Sequence, residues 1–159
     1  MTRRRPRVQL GVKTARLILQ PFAIALALAF AARAAVRIYA IPSTSMAPTL
    51  QVGDRIIVTP YHGGVPARGD IVVFHAPTAG DELMVKRIAG TPGDAVDAGA
   101  GRIVVVPAGC YFVVGDNRQD SFDSRHWGPL RRDLIVGRAR MVLWSSLAPA
   151  SARLFRPIH

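Results

Sequence analysis

At 159 residues the chain has room for one domain plus an anchor, and half of it is hydrophobic, enough to bury a core. The net charge of +11 suits nucleic acid at first sight, but residues 1–40 hold eight of the 21 basic groups and no acidic one, while the remainder sets thirteen basic against ten acidic groups; the excess flanks an apolar segment, where it meets lipid headgroups, and nucleic acid is not an expected partner. Cys110 is the single cysteine, so an internal disulfide is excluded, and His62, His75, His126 and His159 lack ligand spacing, so neither metal nor cofactor is expected.

The apolar segment comes first. Leu17 to Ala32 carries no charge, and with Arg33 snorkelling the run reaches Val36, about twenty residues, the length that crosses a bilayer. Arg3, Arg4, Arg5, Arg7, Lys13 and Arg16 precede it, which places the N-terminus in the cytoplasm and the body outside. The expected organisation is a basic N-terminus at 1–16, a transmembrane anchor at 17–36, a β-rich domain at 37–148 and a tail without assignable role at 149–159. Ala-x-Ala patterns such as Ala27-Leu28-Ala29 also fit a cleavable leader, which delivers the body to the same side but leaves it untethered.

From Gly53 onward, short β-rich runs alternate with turn signals. Strands are predicted over 55–59, 70–75, 82–89, 102–106 and 110–114, with a last long one over 134–144 bent at Gly137. Thr91-Pro92-Gly93-Asp94 suits a type II turn. Helical periodicity in the body is confined to 124–132, so the domain reads as mostly β, in small antiparallel or barrel-like sheets behind one helix.

Two positions stand out. Ser45 lies just beyond the apolar segment, in Pro42-Ser43-Thr44-Ser45-Met46. Lys86 is one of two lysines in a chain that otherwise uses arginine for positive charge. Arginine stays charged, whereas a buried lysine loses its proton readily. Strand parity groups Lys86 with Met84 and Ile88 and turns Arg87 to the other face. That leaves Lys86 either buried between two apolar side chains or reaching past them to water. At its ordinary pKa roughly one lysine in a few thousand is neutral at pH 7, so burial decides whether it serves as a base. The other polar cluster is Gly115–Gly128, with three Asp, two Arg, two Ser, one Asn and one His. Such a loop is either simply solvated or orients a neighbouring group.

Together these segments resemble the type I signal peptidases, membrane-anchored serine peptidases. The resemblance runs through Ser45-Met46-x-Pro48-Thr49-Leu50, Arg68-Gly69-Asp70-Ile71-Val72-Val73-Phe74, Lys86-Arg87-x-x-Gly90-x-Pro92-Gly93-Asp94 and Gly115-Asp116-Asn117-Arg118-x-x-Ser121-x-Asp123-Ser124-Arg125-x-Trp127-Gly128, in that order. It implies the family's β-rich fold, Ser45 as nucleophile and Lys86 as general base. It also implies an oxyanion hole from the Ser43 hydroxyl and the Ser45 N–H, Ser121 orienting the lysine, and Asp123 with Arg125 as a supporting ion pair. Asp116 takes a structural position, and Ile41, Pro42, Leu50 and Val85 lie near substrate pockets. The implied substrates are signal-peptide-bearing precursors cut after Ala-x-Ala at the outer face of the plasma membrane. The stretch 95–114 is short where larger bacterial members carry an extra β-domain and often a second membrane helix, so the chain looks like the compact single-anchor form. Gln119-Asp120 departs from the commonest form of the signature, a change expected to matter little.

Three other readings share some of these residues. One is a dedicated serine–lysine peptidase maturing pilin or conjugation proteins. Another is a Ser–His–Asp enzyme using Ser45, Asp123 and His75 or His126. The third is a catalytically silent, membrane-anchored peptide-binding protein.

Overall fold

The computed structural model describes residues 17, 19–26, 36–78, 80–145 and 156–158. The chain divides into two units, residues 1–35 and 36–159. In the first, residue 17 and residues 19–26 are helical, with the apolar side chains of Leu17, Leu19, Phe22, Ile24 and Leu26 exposed. Among the described residues no helix is long and apolar enough to cross a membrane. Much of the expected 17–36 anchor lies outside the described residues.

The second unit is built from strands β1 (Arg37–Ala40), β2 (Arg55–Thr59), β3 (Ile71–His75), β4 (Leu83–Gly90), β5 (Ala95–Asp97), β6 (Ile103–Val105), β7 (Cys110–Val114), β8 (Leu130–Arg131), β9 (Ile135–Trp144) and β10 (Arg156–Pro157). The main sheet runs β1-β2-β9-β3-β4-β7-β8, with β10 added to β9, and every pairing is antiparallel. β5 and β6 form a separate two-stranded sheet within the short stretch between the lysine motif and the closing signature.

Ile71-Val72-Val73-Phe74 is a continuous apolar run, and all four side chains are buried. Period 2 sends Ile71 and Val73 into one core with Ile41, Met46, Leu50 and Ile56, and Val72 and Phe74 into another with Ile88, Tyr111 and Val113. Each such burial is worth about 1.5–3 kcal/mol, so β3 fastens two cores together. β9 alternates instead: Ile135, Ala139 and Val142 are buried, while Arg138 pairs with Asp70 at 2.8 Å and Arg140 Nε donates to Thr59 Oγ1. Its pairing with β3 shifts register between Gly137 and Ile135, and a Cβ at Gly137 would lie 2.5 Å from the Thr59 carbonyl oxygen.

The 91–94 turn closes as its sequence predicts, with Asp94 N donating to Thr91 O and Gly93 at φ +91°. Four strands were not foreseen: β1, β5, β8 and β10. β10 and its neighbour Ile158, buried at 8% exposure, fall in the segment expected to be a plain tail. Pro157 is tolerated there because, among the described residues, β10 pairs only with β9.

Candidate active site

Ser45 opens the turn that follows β1, and Met46 and Leu50 plug that turn into the core. Leu50 N donates to Met46 O, and Leu50 is fully buried behind the turn. The position expected beside a substrate pocket is therefore a core position. The groove in front of the turn, about 150 Å³, is lined by Tyr39, Ile41, Pro42, Met46, Leu83 and Val85 among others, and Ser43, Ser45 and Lys86 reach it.

Lys86 is 3% exposed and Ser45 8% exposed. The Lys86 Nζ donates to Ser45 Oγ at 2.6 Å, and the Ser43 and Ser45 hydroxyl oxygens are 3.3 Å apart. Of the two readings left open by parity, burial is the one adopted, with Ile88 beside Lys86 on the buried face. Burial pushes the Lys86 ammonium below its ordinary range; the carboxylates of Asp123 and Asp120 pull the other way and are outweighed. Arg87, on the opposite face, is half-buried and holds Asp116 through two 2.8 Å bonds.

Asp123 carries the most concentrated set of bonds near the site. It is fully buried and accepts from Gly115 N at 2.9 Å, from the Ser121 hydroxyl at 2.7 Å, from Arg125 N at 3.2 Å, and from Arg125 Nε and Nη2 at 2.8 and 2.9 Å. Burial alone would raise its pKa; these donors outweigh burial and hold it down at about 2. The Ser121 proton is thus given to Asp123 rather than to Lys86, so towards the lysine this hydroxyl has only lone pairs to offer.

Asp123 and Ser124 also do something sequence reasoning did not find. Ser124 Oγ accepts from Val113 N at 3.0 Å, two residues before the Gly115 N–H that Asp123 takes. The two side chains satisfy alternate donors along the end of β7, where β8, paired only with Cys110 and Tyr111, does not reach. Asp123 at the same time N-caps the four-residue helix Ser124–Trp127, whose His126 Nδ1 accepts from Asp123 N. His126 is engaged in this cap and stacks near Phe122. Among the described residues, Ser45 is hydrogen-bonded through its side chain to Lys86 and Ser43 and to neither His75 nor His126.

Gly115 is where the signature loop touches the serine turn. A Cβ at this position would lie 2.5 Å from the Ser45 carbonyl oxygen and would overlap the Ser121 side chain. Overpacking of this kind costs about 1–3 kcal/mol, so Gly115→Ala is expected to lower the thermal midpoint by several degrees. An unchanged melting curve would show that the contact has slack.

Among the described residues no three His, Cys, Asp or Glu side chains gather where a metal ion could sit. The arrangement is instead a hydroxyl in direct contact with a desolvated amine at the end of an apolar groove, the requirement for an activated oxygen nucleophile.

The family model described as signal peptidase, peptidase S26, matches residues 14–106 and 100–144, and the chain belongs to this family. Its relatives include a signal peptidase I of Leptolyngbya laminosa, 39% identical over 65% of this chain and 66% of that protein. A probable signal peptidase I-2 of Synechocystis sp. is 37% identical over 65% and 61%. A probable thylakoidal processing peptidase 2, chloroplastic, of Arabidopsis thaliana is 38% identical over 65% and 37%. The matches thus span less than two thirds of the length of each of these relatives. A solved signal peptidase I from Enterococcus faecalis V583 is 26% identical, covers 46% of this chain and 96% of that one, and superposes with a TM-score of 0.38.

Proposed function

We propose that the chain is a membrane-anchored serine endopeptidase that removes signal peptides from exported precursors after small residues of the Ala-x-Ala kind. Family membership supports the reaction class. The observation that carries the site assignment is the 2.6 Å contact between Ser45 Oγ and a buried Lys86 Nζ. The anchor is the 17–36 segment, with Arg3–Arg16 in the cytoplasm and the β domain outside, and lipid is its second partner.

The groove suits an extended chain. β1 pairs only with β2, and residues 83–86 of β4 pair only with β3, so each leaves one side unpaired among the described strands. A precursor segment adds there as a strand, with backbone bonds giving affinity. The aliphatic walls at Ile41, Pro42 and Val85 leave room for small side chains and select against large ones.

In the first step the neutral Lys86 amine takes the Ser45 proton and Ser45 Oγ bonds to the scissile carbonyl carbon. The oxyanion is met by the Ser45 N–H and the Ser43 hydroxyl. Collapse breaks the C–N bond, and the leaving amine takes the proton from Lys86. Water then attacks the Ser45 ester as Lys86 accepts its proton; the ester C–O bond breaks, and Lys86 returns the proton to Ser45 Oγ, which restores both groups. Ser121 and Asp123 hold the lysine's surroundings, and Asp116 and Arg125 fix the loop.

The test is cleavage of a signal-peptide-bearing precursor in liposomes. Wild type is expected to cut after the small residue, Ser45→Ala not at all, and Ser43→Ala roughly 10²–10³ times more slowly. An intact precursor with folded wild type would overturn the substrate assignment. Cleavage by Ser45→Ala would overturn the nucleophile.

A further inference from the structure

The loop carrying Gln119-Asp120 was expected to tolerate its unusual residues. Its contacts say otherwise. Thr44, the residue between Ser43 and Ser45, donates its hydroxyl to Asp120 Oδ2. The Thr44 carbonyl accepts from Asn117 Nδ2 at 3.3 Å and the Ser45 carbonyl from Asn117 N at 3.0 Å. Three bonds from one loop therefore grip two successive residues of the serine turn.

The loop is itself braced. Asp120 N donates to Asn117 O at 3.1 Å, closing a turn, and Arg125 Nη2 donates to Arg118 O at 2.9 Å. Arg125 is in turn held by the buried Asp123 carboxylate. Rigid purchase thus runs from Asp123 through Arg125 and the 117–120 turn to Thr44.

We infer that Asp120 is a positioning residue: through Thr44 it fixes the backbone of 43–45, and so the spacing of the Ser43 hydroxyl, the Ser45 N–H and the Ser45 hydroxyl. This rests on Ser45 and Ser43 acting as proposed above. Such geometry matters chiefly in the transition state, because donors aimed at a developing oxyanion lose their value when the turn shifts. An aspartate makes the tie a charge-assisted one, stronger than an asparagine would give.

The experiment is a kinetic comparison, on the high-pH plateau where loss of the Asp120 charge no longer changes the fraction of neutral Lys86, of Asp120→Ala, Asp120→Asn, Thr44→Val and the Thr44→Val/Asp120→Ala double variant on a precursor peptide, with Ser45→Ala alongside and melting curves for all. Thr44 and Asp120 are both exposed, so the variants are expected to melt with wild type. Asp120→Ala and Thr44→Val are each expected to lower kcat about fivefold to tenfold with KM little changed, and the double variant to lose no more than the worse single. Asp120→Asn, which still accepts from Thr44, is expected to recover most of that kcat. Wild-type kcat in Asp120→Ala, fully additive losses, or an Asp120→Asn as impaired as the alanine would each overturn the tie. Activity in Ser45→Ala would instead overturn the underlying site assignment, whatever the Asp120 variants do.

Discussion

Replacing Lys86 with Arg is expected to abolish precursor cleavage as completely as replacing it with Ala, a loss of at least about 10³-fold. Taking the Ser45 proton across the 2.6 Å contact needs a nitrogen lone pair, and a guanidinium has none to give at any working pH. Lys86→Met extends the argument. It keeps the length and apolar stem of the side chain but removes an amine whose charged form is disfavoured by burial. That variant is expected to be inactive and at least as stable as wild type, so activity and stability move in opposite directions at one position. The sign of the pH dependence follows as well. With Lys86 as the base, cleavage is expected to rise with pH through the Lys86 pKa, which burial places below the ordinary lysine value of 10.5. A pH–rate profile whose rising limb sits at or above that value, or substantial cleavage by Lys86→Arg, would sink the base assignment.

Asp123→Ala is expected to be the most destabilising single change in the signature loop, at about 3–5 kcal/mol. One buried carboxylate there receives the Gly115 N–H, the Ser121 hydroxyl and both sides of the Arg125 interaction. Removing it takes the acceptor from the buried Gly115 N–H and the Ser121 hydroxyl and leaves Arg125 with only its carbonyl partners. The same group dictates an acid limit. Its folded pKa, about 2, lies below the unfolded value of 3.8, so its contribution is complete above pH 4 and is lost as pH falls toward 2. Denaturant titrations at pH 6 and pH 2.5 are expected to show wild type losing stability that Asp123→Asn does not lose. A parallel decline in both would assign the acid sensitivity to other groups.

Much of the β domain is legible in the sequence because its signals are local. Ile71-Val72-Val73-Phe74 announces a strand buried on both faces, and Thr91-Pro92-Gly93-Asp94 announces its turn. The Asp123–Arg125 pair spans two residues and is readable from spacing alone. What escapes is set by distant partners. Parity brackets Lys86 with apolar residues but leaves its burial undecided, because burial comes from strands that the sequence does not place beside it. Arg87 reads as a charge turned outward; its half-buried bond to Asp116 depends on β7 meeting β4. Leu50 looks like a pocket residue by its place in the motif and is a core residue because the serine turn folds back on Met46. β10 is two residues long and takes its existence from β9. Asp120 touches Thr44 across the whole domain, and no short-range pattern marks it.

The strand order carries a temporal consequence. β2 and β3 follow one another along the chain but are not neighbours; β9 lies between them. Ser45 belongs to the β1–β2 half and Lys86 to the β3–β4 half, and β9 is the sheet's bridge between the two. In a growing chain Ser45 and Lys86 therefore emerge in different hairpins before the strand that joins those hairpins in one sheet has been made. Closing such long loops is slow compared with forming the hairpins themselves. On the proposed assignment, the sheet that unites Ser45 with Lys86 is thus completed by a strand synthesised after both of them.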